Sequence, residues 1–196
     1  MMITFLRHRL WPAIALLLAM TVLTGFLYPL AVTAVAQIAF PHQANGSFVV
    51  TADGRTIGSS LIGQGFSDPK YFWSRPSAAG ADGYDGTASA GANLGPTNQA
   101  LLDAVSVQID TLRAANGDKP IPVDLVTTSA SGLDPDISPA AAEYQVARVA
   151  KERNMSEADV RTAVTRHTEQ PLLGFLGQPR VNVLMLNLDL DGLLAK

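Results

Sequence analysis

Four groups of residues in this 196-residue sequence have types and spacings from which chemistry is often built. Ser67-Asp68-Pro69-Lys70 spells S-x-x-K, the nucleophile motif of penicillin-recognising enzymes. That motif needs its Ser and Lys one helical turn apart, with S-D-N and K-T-G partners. Pro69 and its breaker-rich surroundings oppose the helix, and neither partner motif occurs in the sequence. Asn187, Asp189, Asp191 and Gly192 imitate the opening of an EF-hand loop, but no bidentate acid stands at the closing position. They are expected instead to alternate on an exposed face. Ser131, His167 and Asp134 supply the residue types of a hydrolytic triad without a nucleophile elbow around the serine. His8, His42 and His167 are too scattered to suggest a metal site, and the absence of cysteine excludes thiolate zinc sites, thiol catalysis and disulfides. No catalytic residue, metal ligand or cofactor is assigned from these patterns.

Two further stretches are built from small residues. Ser89-Ala90-Gly91-Ala92-Asn93 would let a backbone approach a phosphate or a neighbouring protein, but no P-loop pattern accompanies it, and a tight turn into the following helix is the simpler expectation. Ser129-Ala130-Ser131-Gly132-Leu133-Asp134-Pro135 raises the same choice. Pro135 holds Asp134 out of the helical region, so its carboxylate is expected to accept from nearby loop N–H groups in an Asx turn, with a partner-facing loop as the alternative.

The elements that must position these residues begin with an anchor. No Lys, Arg, Asp or Glu occurs from Leu10 to Ala52. Leu10–Leu30 as a helix spans roughly 31 Å, matching a hydrocarbon core about 30 Å thick. Trp11 and Tyr28 sit where aromatics favour the interface, Pro12 falls in the first turn, and Pro29 is expected to mark the exit. Arg7 and Arg9 precede the apolar run and the next basic residue is Arg55, so the positive-inside rule puts residues 1–9 in the cytoplasm, 10–32 across the membrane and 33–196 outside. A cleaved signal peptide is the competing reading, with Ala34-Val35-Ala36 as the processing triplet, but the apolar run is about twice the usual length.

The outer part reads as one mixed domain, α/β or α+β. Residues 41–60 suggest a hairpin turning at Asp53-Gly54. Residues 63–98 hold seven Gly and three Pro with Phe66, Tyr71, Phe72, Trp73 and Tyr84, and are expected to form an ordered irregular region whose aromatics pack on the core or on a partner. A helix is expected from Thr97 to Ala115, with Leu101, Val105, Ile109 and Leu112 on one face, and a strand over Val123–Val126. Ser138 and Ser156 are expected to cap two further helices. From Val181 to Leu194, alternating leucines suggest a strand, while Asn182 suggests the cap of a short helix. Setting aside Arg7 and Arg9, 12 basic residues face 17 acidic ones, so the rest of the chain carries about −5 and has no footprint for nucleic acid.

Several long blocks carry a resemblance. Leu61-Ile62-Gly63-Gln64 with Phe66, Tyr71-Phe72-Trp73-Ser74-Arg75-Pro76-Ser77-Ala78 and Asn93-Leu94-Gly95-Pro96-Thr97-Asn98 closely resemble the C subunits of Kdp potassium-transporting ATPases. So do Pro122-Val123-Asp124-Leu125-Val126-Thr127, the run from Ser131 to Pro139, and Val181-Asn182-Val183-Leu184, all in the family's order. The resemblance implies a non-catalytic accessory subunit of a high-affinity potassium uptake complex in the bacterial inner membrane, with its main domain periplasmic. Its implied partners are a channel-like potassium-binding subunit, a P-type ATPase subunit that hydrolyses ATP, and a small membrane peptide. The family has been viewed as a catalytic chaperone raising the pump's affinity for ATP through a Gln-Ser-Gly-Gly-like stretch. The matching place here reads Ala88-Ser89-Ala90-Gly91, keeping only Ser89 and Gly91, so ATP contact at Ser89, Gly91 and Asn93 is an expectation of the resemblance alone. Phe66, Tyr71, Phe72, Trp73 and Arg75 are the expected partner contacts. The alternatives are a periplasmic small-ligand-binding domain and a membrane-anchored hydrolase.

Overall fold

The computed structural model describes residues 2–51 and 54–194. The chain divides into two compact units, Met1–Phe48 and Val49–Lys196.

The first unit is helical. Helix α1 (Met2–Val22) passes through a π-helical turn, Leu23–Leu27, into α2 (Tyr28–Ala39). Pro29 does not end the helix as expected. Its missing N–H would otherwise address the carbonyl one turn back, and the wider π turn, in which the Tyr28 N–H donates to the Leu23 carbonyl, lets the ring pass. The true break is Phe40 (φ −139°, ψ 55°), which precedes Pro41 and so leaves helical space; a single turn, α3 (Pro41–Ala44), follows. The stretch Arg7–Ala39, 33 residues, is long and apolar enough to cross a membrane, and its large apolar side chains are exposed, Trp11, Leu17, Leu30 and Ile38 among them. It is about 50 Å long at 1.5 Å per residue, well over the roughly 30 Å of a hydrocarbon core.

The second unit is mixed α and β. Strands β1 (Phe48–Val50) and β2 (Thr56–Ser59) pair as expected for a hairpin; Asp53 of its anticipated turn lies outside the described residues. After the long irregular region come α4 (Gln99–Asn116), β3 (Asp136–Ile137), α5 (Pro139–Arg153), α6 (Glu157–Arg166), β4 (Thr168–Glu169), β5 (Arg180–Asn182) and α7 (Val183–Leu190). The strands β3, β5 and β4 form an antiparallel sheet in that order, with Val181 opposite both Ile137 and Thr168.

Helices dominate the core because the strands are only two to four residues long. The close approach of α5 follows from Ala141, Ala142 and Ala150, which are buried beside Val146 and Val149. Against this face lie Val160 and Ala163 of α6, Leu186 of α7, and Phe72, Leu112, Leu125 and Val181. A smaller cluster joins Val49, Leu184 and Leu188. Both expected serine caps are present, Ser138 Oγ accepting from Ala141 N and Ser156 Oγ from Asp159 N. Asn154 ends α5 in the left-handed region (φ 54°), which asparagine tolerates better than most residues.

One local expectation changes, and one open choice is decided. Val123–Leu125 is a 3-10 turn rather than a strand; Pro120 and Pro122 leave too little chain for a ladder, Leu125 plugs the core, and the Asp124 carboxylate accepts from the N–H and hydroxyl of Ser138. The leucines after Val181 lie on a helix, with Asn182 Oδ1 accepting from Met185 N.

Candidate functional site

The irregular region holds the residues most often singled out above, and four side chains from α5 and α7 fasten it down. The carboxamide of Asn187, 1% exposed, accepts from Phe72 N (2.8 Å) and donates to Phe72 O (3.0 Å). Gln145, fully buried, does the same to the next residue, accepting from Trp73 N (2.8 Å) and donating to Trp73 O (3.2 Å). Two amides thus replace the neighbouring strands that a sheet would have supplied, satisfying backbone groups that burial would otherwise leave unpaired.

Arginines complete the fastening. Arg148, 7% exposed, donates to the carbonyls of Pro69 and Tyr71, to Gln145 Oε1 (2.7 Å) and to Asn116 Oδ1 (3.0 Å), and lies 4.2 Å from the centroid of the Trp73 ring. Burial pulls its pKa down to about 10, against the opposing influence of Glu152 and Tyr144. Arg153 donates to Lys70 O (2.7 Å) and Leu190 O (2.9 Å) and pairs with Asp191 (2.9 Å), whose other oxygen accepts from the Tyr71 hydroxyl.

The expected exposed polar face at Asn187, Asp189 and Asp191 is therefore wrong. Those residues lie on and just beyond a helix, so the two-residue alternation does not select one face. Asn187 and Asp191 hold the irregular region, and Asp189 sits between Arg166 (2.9 Å) and His167 (3.0 Å). The paper triad is likewise dispersed among other partners. His167 meets Asp189, while Asp134 accepts from Asp136 N in the expected Asx turn and pairs with Arg75 (2.9 Å). At Ser67-Lys70 the chain turns around Asp68, which accepts from Lys70 N and Tyr71 N, and is not helical. Among the described residues no group of three His, Cys, Asp or Glu converges as a metal site.

The fold stacks the two small-residue stretches, 89–93 and 129–135, one on the other. Ser89 Oγ donates to Ser131 O (3.0 Å). A Cβ on Gly91 would stand 2.8 Å from Ala130 O, and one on Gly132 (φ 67°) 2.5 Å from Ala90 O. The glycines are there because backbone meets backbone. Ser77 ties the same layer, donating to Gly132 O and accepting from Tyr84 N. Of the three positions with an implied ATP contact, Ser89 and Gly91 thus face the 130–132 loop, and Asn93 is exposed in the left-handed region (φ 51°).

The expected partner contacts separate in the same way. Phe72 is fully enclosed and is a core residue, so its side chain offers a partner no surface. Alternation along the pinned segment explains this, because Phe72 and Ser74 turn inward while Tyr71, Trp73 and Arg75 are half-buried. Phe66 and Trp73, with Pro76, Tyr84, Gln108 and Thr111, line an open groove of about 500 Å³. Burial pushes the Tyr84 phenol above its ordinary pKa, so it stays neutral there. Beyond these residues, the loop Leu172–Leu176 carries four large apolar side chains that are more exposed than Phe66, Tyr71, Trp73 or Tyr84, and sequence reasoning passed over it. Its signal was present, a run of ten uncharged residues from Gln170 to Pro179 containing Leu-Leu-Gly-Phe-Leu.

Comparison with known proteins covers nearly all of this architecture. A family model described as K+-transporting ATPase, c chain, matches residues 10–192. Among similar proteins, the potassium-transporting ATPase KdpC subunit of Sorangium cellulosum is 64% identical over 183 residues, 92% of this chain and 96% of that protein. The KdpC subunit of Dechloromonas aromatica is 57% identical over 92% of this chain and 95% of its own length. That of Koribacter versatilis is 55% identical over 95% and 96%.

Proposed function

The chain belongs to the KdpC family, the c chains of K+-transporting ATPases, and we propose that within such a complex it is a non-catalytic subunit that assembles and steadies the others. The observation that carries this reading is the pairing of an exposed 33-residue helix, uncharged from Leu10 to its end, with a unit whose polar side chains are engaged in holding its own loops.

In this reading Arg7 and Arg9 keep the N-terminus in the cytoplasm and the second unit lies in the periplasm. The helix is longer than the bilayer requires. A tilt within the usual range of about 0–40° takes up only part of the excess. The remaining apolar turns, which include Val35 and Ile38, lie against another polypeptide of the complex, the channel-like subunit. The groove between Phe66, Trp73 and Tyr84 gives the second unit a place to meet that subunit on its periplasmic side. ATP hydrolysis resides in the P-type subunit. A chaperone effect on ATP affinity then acts through assembly, with Ser89 and Gly91 engaged with the 130–132 loop.

The test is purification of the tagged chain from native membranes in mild detergent with assay of K+-stimulated ATP hydrolysis. Recovery of a channel-like and a P-type subunit, with hydrolysis that collapses when this chain is deleted, supports the reading. A complex that forms and hydrolyses ATP normally without the chain overturns it.

A further inference from the structure

Leu172, Leu173, Phe175 and Leu176 are 69%, 76%, 72% and 50% exposed, four large apolar side chains within five residues. Monomeric proteins rarely hold such a patch without using it. The loop is nonetheless ordered by its own backbone. Leu172 and Leu176 exchange N–H···O bonds of 3.0 and 2.9 Å, and Gly174 N donates to Pro171 O (2.9 Å). Leu173 sits at φ 55°, a conformation disfavoured for leucine, and two glycines at positive φ shape the rest of the tip. Strain held in an apolar, solvent-facing tip is a mark of a preformed contact element.

We infer that this tip is a docking knob that inserts into an uncharged apolar cleft on another protein subunit of the K+-transporting ATPase. The inference rests on the assembly role proposed above. Charge argues for a protein cleft over a lipid surface. Loops and helices that settle on membranes are commonly flanked by Lys or Arg that address anionic headgroups. Here no charge occurs from Gln170 to Pro179, and the base of the loop is closed by Arg180 pairing with both Asp136 (3.0 Å) and Glu169. The flank therefore holds two carboxylates to one guanidinium and has no surplus cation. An apolar knob held by its own backbone bonds, with a rim that offers no surplus cation, is the arrangement of a buried interface anchor.

The chain has no cysteine, so Phe175→Cys creates a single thiol for a polarity-sensitive fluorophore. The labelled full chain is placed in lipid nanodiscs alone and together with the other subunits. A blue shift and a several-fold drop in iodide quenching only in the assembled complex are expected. A probe that stays exposed in an intact complex overturns the knob and leaves the assembly role standing. A probe already shielded in nanodiscs holding this chain alone overturns the protein cleft in favour of lipid or a second copy. Failure of the unlabelled parent to form a complex removes the underlying reading instead. As a second measure, Leu173→Asn with Phe175→Gln should reduce recovery of partner subunits several-fold without lowering the melting temperature of the chain, asparagine being suited to the left-handed position. Undiminished recovery would count against the knob.

Discussion

Replacing Asn187 by leucine tests whether the irregular region is held by side-chain amides. The side chain is almost completely buried and makes two hydrogen bonds to one residue, Phe72 N and Phe72 O. Leucine has the same branched shape and number of side-chain heavy atoms, with bulkier methyl groups, so it leaves no cavity, but both backbone groups lose their partners. Each unsatisfied buried group costs about 1–3 kcal/mol, and the added apolar burial returns roughly 1 kcal/mol. A net loss of about 1–5 kcal/mol is expected, a large part of the 5–15 kcal/mol typical of a folded domain. For a unit of this size that corresponds to a fall in melting temperature of about 2–20 °C.

Thermal melting of the full chain in mild detergent measures it, with Gln145→Leu as the companion. Because the two amides hold adjacent residues, the double variant should lose less than the sum of the singles. Asn187→Asp adds a sign test. The introduced carboxylate can still accept from Phe72 N but, when ionised, faces the Phe72 carbonyl without a donor. Burial raises its folded-state pKa above the unfolded value, so its deficit should shrink as pH falls and grow as pH rises through the folded pKa. Melting temperatures within about 1 °C of the parent for Asn187→Leu, or a pH-independent deficit for Asn187→Asp, would refute the argument.

Three other outcomes are expected. Gly132→Ala, which sets a Cβ 2.5 Å from Ala90 O at φ 67°, should destabilise by about 1–3 kcal/mol and make residues 85–98 more sensitive to limited proteolysis. The Asp136 carboxyl is held above its ordinary range chiefly by burial, with Arg180 opposing. Its contribution to stability is therefore fully present below the unfolded pKa and is lost as pH rises through the folded value. Asp136→Asn should remove that acid-range component from the melting profile. Reversing the flank with Arg7→Glu and Arg9→Glu should lower the fraction of chains whose second unit is shielded from protease added to the cytoplasmic side, and an unchanged fraction would count against the proposed orientation.

Legibility in the sequence followed the range of the interactions. The apolar N-terminal helix, the helices α4, α5 and α6 and the serine caps of α5 and α6 depend on residues within a few positions of one another, and their patterns were plain. Val123–Leu125 and the C-terminal helix depend on the competition between short alternation and tertiary packing, which a local pattern does not decide. What holds residues 68–75 was not visible at all, because Asn187 and Gln145 lie 115 and 72 positions away from the groups they bind. The sequence marked Asn187 as polar among leucines. It did not say that the polar group faces inward.

The same pinning bears on how the proposed assembly role could be carried out. A segment rich in glycine and aromatics is usually mobile, and a mobile surface loses ordering entropy when it docks. Here Asn187, Gln145, Arg148 and Arg153 order that segment from beneath before any partner arrives. The Phe66, Trp73 and Tyr84 groove is thus presented in a fixed shape, and the Leu172–Leu176 tip is fixed independently by its own backbone bonds. In the proposed reading, two preformed surfaces on one unit, joined to a helix long enough to span a membrane, act together at high effective concentration, so each need bind only weakly alone. It follows that loosening the fastening without touching either surface should weaken assembly. Asn187→Leu should therefore reduce recovery of partner subunits at temperatures well below its own melting point, whereas Ser138→Ala, which removes only a helix cap costing about 1 kcal/mol, should not. Equal recovery from both variants would separate the stability of the unit from its function and set the preorganisation argument aside.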